Sequence, residues 1–279
     1  MILGGYVFKK YSDPESWAAA VKSYSYGAAY CPIGIEADDG EVKAYAQAAE
    51  QAGIVIAEVG AWSNPISPNE ETRLQAQELC KKSLALADEI GACCCVNIAG
   101  SRSADGWYYP HPDNLTEETF DMIVEVVRDI IDAVKPVRTF YALETMSWIF
   151  PDSPESYFRL MKAIDRDRLG VHFDPVNMIC SPNRFFNNAA FLRDCFEQLG
   201  PYVKSCHAKD IALGARMTVH LDEVRPGLGA LDYKTFLREL ERWAPKAPLM
   251  IEHLETEEEY ALATDFIRST AGEAGVAIR

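Results

Sequence analysis

The chain is short of what several binding chemistries require. It carries 27 basic residues against 42 acidic ones, a formal charge of −15. Binding a phosphate backbone relies on Lys/Arg clusters that displace counterions, so no nucleic-acid partner is expected. No run of eighteen apolar residues occurs, so no membrane span is expected. The opening Met1-Ile2-Leu3-Gly4-Gly5-Tyr6 has no basic region ahead of its apolar residues and reads as a first strand, not a secretion signal. Cys-x-x-Cys is absent, which argues against a zinc cluster. The chain has eight cysteines, but Cys93-Cys94-Cys95 face alternate ways in an apolar run. Cys80, Cys195 and Cys206 fall in expected elements and not in loops. Free thiols and a cytoplasmic location are therefore expected. Gly4-Gly5-Tyr6 also lacks the glycine-rich phosphate turn of a doubly wound dinucleotide-binding sheet.

What is present is regular alternation. Hydrophobic content of 48% and charged content of 25% are ordinary for a globular enzyme. A strand pattern at 2–7 precedes a helix opened by Ser12-Asp13-Pro14-Glu15, which supplies a cap and a first-turn proline. Strands are expected at 26–30, 54–59 and 92–98. The helices between them fall at 39–52 and 70–90 and stop at Gly53 and Gly91. A helix capped by Thr116 reaches about residue 134. Four further strands end at Glu144, Asp174, His207 and Glu252, with helices near 155–164, 189–199, 233–243 and 257–271. Eight strand-helix units with near-continuous apolar strands imply a parallel sheet covered on both faces. The expected fold is a (β/α)8 TIM barrel, as a single domain over residues 1–279.

The strand ends carry the chemistry. Val171-His172-Phe173-Asp174-Pro175-Val176-Asn177 delivers a histidine and an aspartate two residues apart, hence on one face of a strand. Leu143-Glu144-Thr145, Cys206-His207-Ala208-Lys209-Asp210 and Ile251-Glu252-His253 end other apolar runs in the same manner. In a barrel, all strand C-termini meet at one mouth. Glu144, Asp174, His207 and Glu252 should therefore converge there. Three carboxylates and one imidazole suit a divalent ion such as Mn²⁺, Mg²⁺ or Co²⁺.

These segments, with Arg225-Pro226-Gly227-Leu228-Gly229, resemble the xylose isomerase-like TIM-barrel superfamily of sugar and sugar-phosphate isomerases and epimerases. The resemblance covers the chain well from the fifth strand onward and in outline before it. It implies that Glu144 and Glu252 both bind the metal and move protons, with Asp174 and His207 completing the ligand set. Manganese is the leading expectation, with Mg²⁺, Co²⁺ or Zn²⁺ as alternatives. The activity implied is proton transfer through an enediolate, giving epimerisation or aldose–ketose isomerisation. The alternative is a lyase or dehydratase acting on a keto-sugar, keto-inositol or C-glycoside with the same metal and acid–base pair. The superfamily also includes an enzyme that cleaves DNA at abasic sites with several zinc ions. Five histidines and an acidic surface do not support that chemistry here. Relatives are often dimers or tetramers, so a homo-oligomer is expected.

Further candidates for substrate contact are His172, beside Asp174, and Lys209, beside His207. Lys209 has an ion pair with Asp210 as its alternative role. Arg225 corresponds to a substrate-contacting arginine of relatives, although residues 213–219 lengthen the segment before it. Glu223 is a further acidic candidate. Trp62, Trp107 and Trp148, with Tyr108, fall in loops after the third, fourth and fifth strands, where aromatic faces pack against sugar rings. The substrate implied is a small sugar or sugar phosphate. No P-loop-like cluster is present, so a neutral sugar is the preferred expectation.

Overall fold

A computed structural model describes all residues, 1–279. Nine parallel strand segments form the central sheet: β1 (Ile2–Gly4), β2 (Ala28–Ala29), β3 (Val55–Ile56), β4 (Glu58–Gly60), β5 (Cys94–Asn97), β6 (Tyr141–Glu144), β7 (Leu169–Phe173), β8 (Val203–Ala208) and β11 (Pro248–Ile251). Their order is β3-β2-β1-β11-β8-β7-β6-β5-β4. The two ends of that order, β3 and β4, are halves of one barrel strand interrupted only by Ala57. Cys93 N donates to Ile56 O at 3.0 Å and Cys94 N to Ala57 O at 3.3 Å, which closes the sheet into a TIM barrel. Between β8 and β11 stands a two-stranded antiparallel hairpin, β9 (Asp210–Leu213) and β10 (Leu221–Val224). From sequence, much of that stretch reads as an inserted loop.

The outer layer is helical: α1 (Pro14–Ser23), α2 (Asp39–Ala52), α3 (Glu70–Ile90), α4 (Glu117–Val134), α5 (Pro154–Ile164), α6 (Pro182–Phe186), α7 (Asn188–Leu199), α8 (Tyr233–Trp243) and α9 (Glu257–Ala274). Local chemistry sets most of the boundaries. Asp13 and Ser153 form capping boxes, each with a serine three residues on, and Asn69, Thr116 and Thr256 cap with their side chains. These side chains satisfy amide groups that the first helical turn leaves unpaired. Gly53 and Gly91 end α2 and α3 in the left-handed region, at φ 61° and 79°, where glycine has no Cβ penalty.

Alternation along each strand sorts side chains between two environments. Tyr141, Leu143, Val171, Phe173, Cys206, Leu249 and Ile251 join the core of 66 residues between sheet and helices. Phe173, for instance, packs edge-on against Phe196 of α7 at 4.9 Å. The alternate residues Glu144, His172, Ser205, His207 and Met250 face the barrel axis. Small residues fill much of that interior: Ala28 and Ala57 pack with Met250, and Cys94 and Val96 with Ala142. Gly4 is required there, because a Cβ would lie 2.4 Å from Ala28 O and 2.7 Å from Met250 Sδ. All eight cysteines are free thiols. No helix is long and apolar enough to cross a membrane.

Candidate active site

Strand direction brings the four expected ligands together. Glu144 is the last residue of β6, His207 lies near the end of β8, and Asp174 and Glu252 directly follow β7 and β11. His207 Nδ1 is 3.0 Å from Glu144 Oε1, 2.8 Å from Glu252 Oε1 and 3.8 Å from Asp174 Oδ2. One ligand atom from each of the four lies within 4.8 Å of all the others. The strands beneath are braced. Tyr157 of α5 donates from its hydroxyl to Leu143 O at 2.6 Å or Gly170 O at 3.0 Å, and Thr145 Oγ1 donates to Asp174 O at 2.7 Å.

Lys209 adds a cation to the cluster. Its side chain is 2% exposed, with Nζ 2.8 Å from Asp174 Oδ2 and 2.7 Å from Glu252 Oε1. It therefore pairs with these acids and not with Asp210, whose carboxylate accepts four backbone N–H groups instead, from Ile211, Gly227, Gly229 and Leu231. Burial would raise the Glu252 carboxyl, but the charges of His207 and Lys209 outweigh it and hold the group down at about 2. Burial likewise opposes ionisation of Asp174, and Lys209 with His207 keeps it well below the usual carboxylate range. His207 is held well above an ordinary imidazole: burial lowers it, and the charges of Glu252, Glu58 and Glu144 prevail.

Glu58 joins the site without a motif in the sequence to mark it. It is fully buried at the start of β4, directly beneath the cluster. Its Oε2 lies 3.1 Å from His172 Nε2 and 3.5 Å from His207 Nε2, and its Oε1 accepts from Ser205 Oγ at 3.1 Å. A lone acid inside an apolar strand run was the available signal. His172 thus belongs to the floor: its ring stands edge-on to that of His207, with centroids 4.1 Å apart.

The site fits a divalent cation. Glu58, Glu144, Asp174 and Glu252 outnumber Lys209 and a protonated His207 by two charges. Asp174 Oδ2 and Glu252 Oε1 are buried and share a single ammonium, Lys209 Nζ, at 2.8 and 2.7 Å. Buried carboxylates in excess of the cations beside them favour a further counterion.

Above the cluster opens a cavity of about 660 Å³. Trp62, Trp107 and Tyr108 line it, as do Glu223 and His253. So do Tyr30, Met146, Asn177 and Tyr260, which carry no sequence signal for the site. Asn177 Nδ2 reaches Glu144 Oε1 at 3.4 Å. Two expected substrate contacts lie elsewhere. Trp148 braces the loop by donating from Nε1 to Tyr108 O at 2.7 Å. Arg225 turns away to Glu259, with Nε 3.0 Å from its Oε2. His253 Nδ1 is 3.1 Å from Glu223 Oε1, and its Nε2 is 3.5 Å from Glu252 Oε2. The hydrogen bond to Glu223 raises His253 above its ordinary value.

A barrel with acids and a histidine converging at its C-terminal mouth defines a TIM-barrel class with a candidate metal centre. The family model for xylose isomerase-like TIM barrels matches residues 18–270, and the chain belongs to that family. Comparison with curated proteins finds no match. Among solved structures, a xylose isomerase-like TIM-barrel protein from Mycobacterium smegmatis in complex with magnesium is 14% identical, with a TM-score of 0.68, covering 94% of this chain and 90% of that one. D-psicose 3-epimerase with D-tagatose from Clostridium cellulolyticum H10 is 14% identical, with a TM-score of 0.69, covering 97% and 99%. The probable 3-DHS dehydratase of petrobactin synthesis from Bacillus anthracis is 13% identical, with a TM-score of 0.69, covering 96% and 98%. At these identities the likeness is one of fold.

Proposed function

We propose that the protein is a divalent-metal-dependent sugar isomerase or epimerase, in which Glu144 and Glu252 move the protons. The observation that carries this reading is the placement of both glutamates within 3.0 Å of one nitrogen of His207, at the floor of an open cavity. Glu144, Asp174, His207 through Nδ1 and Glu252 would hold the ion, with Mn²⁺ as the preferred metal and Mg²⁺ the ion of one structural neighbour. When bound, a divalent ion polarises neighbouring carbonyl and hydroxyl oxygens and so favours an enediolate.

Glu252 is ionised at neutral pH, and its Oε2, the oxygen not held by Lys209 and His207, is the one placed to accept a proton. It takes the proton from the C–H beside the substrate carbonyl, and the C–H electron pair passes to the carbonyl oxygen. Glu144, which must first take up a proton from solvent, then gives it to the opposite face of that carbon as the oxygen's electron pair re-forms the carbonyl, giving the epimer, and Glu252 afterwards releases its proton to solvent. Return to the neighbouring carbon, with movement of the hydroxyl proton, gives the isomer. General acid–base transfer of this kind is typically worth roughly 10²–10⁴-fold. Lys209 holds Asp174 and Glu252 in their charged forms and supplies positive charge beside the developing enediolate.

One observation favours a dehydratase as the second reading. His253, raised by Glu223, stands 3.5 Å from Glu252, where it could protonate a departing hydroxyl. Incubation of ketoses, ketose phosphates and inososes in deuterium oxide, with metal content measured in parallel, separates the two. Deuterium in a recovered isomer or epimer supports the first reading, and loss of water the second. Glu144→Gln and Glu252→Gln should each lower turnover by at least about a hundredfold. Near-full turnover in either variant would overturn the two-carboxylate mechanism.

A further inference from the structure

We propose that this site takes a neutral, non-phosphorylated glycoside, with one sugar ring over the carboxylate floor and a second planar-faced unit against Trp62, Trp107 and Tyr108. This deepens the reading of the same site as sugar-modifying and rests on it. The first ground is size. A cavity of about 660 Å³ lies well inside the range of roughly 300–1,000 Å³ typical of pockets for drug-sized ligands. One sugar ring would leave much of it to water.

The second ground is the arrangement of the walls. Trp62 follows the third barrel strand and Trp107 and Tyr108 follow the fourth, whereas Glu223 follows the seventh and His253 the eighth. In an eight-stranded cylinder these pairs stand across the mouth from one another. One wall is apolar and aromatic, and the other offers hydrogen-bonding groups for hydroxyls.

The aromatic wall is also held in place. The Trp62 ring lies against Gly60, where a Cβ would approach its Nε1 to 2.5 Å. Trp107 and Tyr108 meet edge-on at 5.1 Å, and Trp148 fixes the Tyr108 backbone. Yet Trp62, Trp107 and Tyr108 keep 42%, 39% and 42% of their surface exposed. Contiguous apolar surface at a cleft marks a place where a ligand covers it.

The third ground is charge. No arginine lines the cavity. Lys209 is clamped by Asp174 and Glu252, and His253 is paired with Glu223. A phosphate would meet carboxylates with no free cation to hold it, whereas a neutral ring has no such penalty.

Isothermal titration of the full chain in the presence of Mn²⁺ tests this with four probes: D-fructose, D-fructose 6-phosphate, maltulose and phenyl β-D-glucoside. A gain of about tenfold in affinity, or about 1.4 kcal/mol, is what one to a few aromatic contacts supply. At least one glycoside should therefore bind about tenfold more tightly than D-fructose, and D-fructose 6-phosphate no more tightly than D-fructose. Whichever glycoside binds better identifies the second unit as a sugar or an aryl ring. Trp107→Ala, and Gly60→Ala, which displaces Trp62, should each remove most of that preference while changing D-fructose binding less. The proposal is overturned if D-fructose matches both glycosides, if the phosphate binds best, or if both variants keep the preference. The two levels of the reading fail separately. A glycoside that binds tightly, while neither maltulose nor D-fructose, the neutral probes that carry a ketose carbonyl, exchanges its carbon-bound proton for deuterium or loses water, defeats the proton-transfer mechanism and leaves the subsite standing. Exchange on D-fructose without glycoside preference does the reverse.

Discussion

At the scale of single residues, the candidate site depends on groups that hold the ligands as much as on the ligands themselves. Glu58 touches the far nitrogen of His207 at 3.5 Å and so sets which nitrogen faces Glu144, Asp174 and Glu252. Carboxylates in this relation fix the tautomer and ring orientation of a ligating histidine, and losing one typically costs 10–100-fold in metal affinity. Glu58→Gln should therefore weaken metal binding by roughly that factor in a competition titration with a chelating dye. Unchanged affinity would reduce Glu58 to a structural filler. The pH dependence follows from His207. Its pKa is raised in the folded, metal-free protein, so its pairing contributes stability that is fully present below about 6.5 and is lost as pH rises through the elevated value. A metal ligand must be unprotonated, so binding releases that proton, and affinity should rise by about tenfold per pH unit across the neutral range. Glu252 acts at the other end. Held at about 2 against an ordinary 4.5, it contributes stability above pH 4.5 that disappears as pH falls toward 2. Thermal melts of metal-free protein between pH 5 and 2 should show a falling midpoint that Glu252→Gln flattens.

At the scale of elements, one interaction explains why two separated sequence motifs occur together. Asp210, which opens β9, uses one oxygen to accept from Gly227 and Gly229 and the other to accept from Ile211 and Leu231. The hairpin of β9 and β10 is thereby pinned to the segment that leads into α8, and Glu223 is delivered to the cavity. Replacing one oxygen with an amide nitrogen would set donor against donor at two of these bonds. Bonds to a charged acceptor contribute about 1.5–3 kcal/mol each, so losing two of them in Asp210→Asn should destabilise the protein by about 3–6 kcal/mol in urea denaturation. Gly229→Ala should behave similarly, because its Cβ would meet Asp210 Oδ1 at 2.3 Å and Ile211 O at 2.5 Å. The hairpin also marks the limit of what patterning reveals. The bounds of α2 and α3 are readable because caps and terminal glycines act within a few residues of the boundary they set. Leu221-Asp222-Glu223-Val224 has neither an apolar face nor a tight-turn pair, and its pairing is fixed by Asp210 from across the loop. Glu58 is hidden for a related reason. The strand expected at 54–59 breaks at Ala57, and only the closed barrel shows that the acid after the break points inward beneath His207. Arg225 illustrates the opposite error: its motif is recognisable, but the lengthened loop turns the guanidinium to Glu259 and out of the cavity.

At the scale of the whole molecule, a chain with a formal charge of −15 gathers four carboxylates around two cationic side chains in its most enclosed region. Concentrating like charge where water is scarce is costly, and the closed barrel prevents the acids from moving apart. The excess of acidic over cationic side chains at the mouth therefore favours the uptake of a further cation. An ion that binds only the folded form stabilises by about 2.7 kcal/mol at a hundred times its dissociation constant. For a chain somewhat above 250 residues, this should raise the melting midpoint by roughly 5–10 °C. Asp174→Asn provides the contrast. It removes one ligand together with the buried partner of Lys209, so the metal-free variant should melt below the parent, and the rise on adding Mn²⁺ should largely vanish. A loss of stability with the metal-induced rise intact would mean that Asp174 is only a structural partner of Lys209 and that the ion sits elsewhere. A rise that survives in both Asp174→Asn and Glu144→Gln would remove the cluster from consideration as the metal centre.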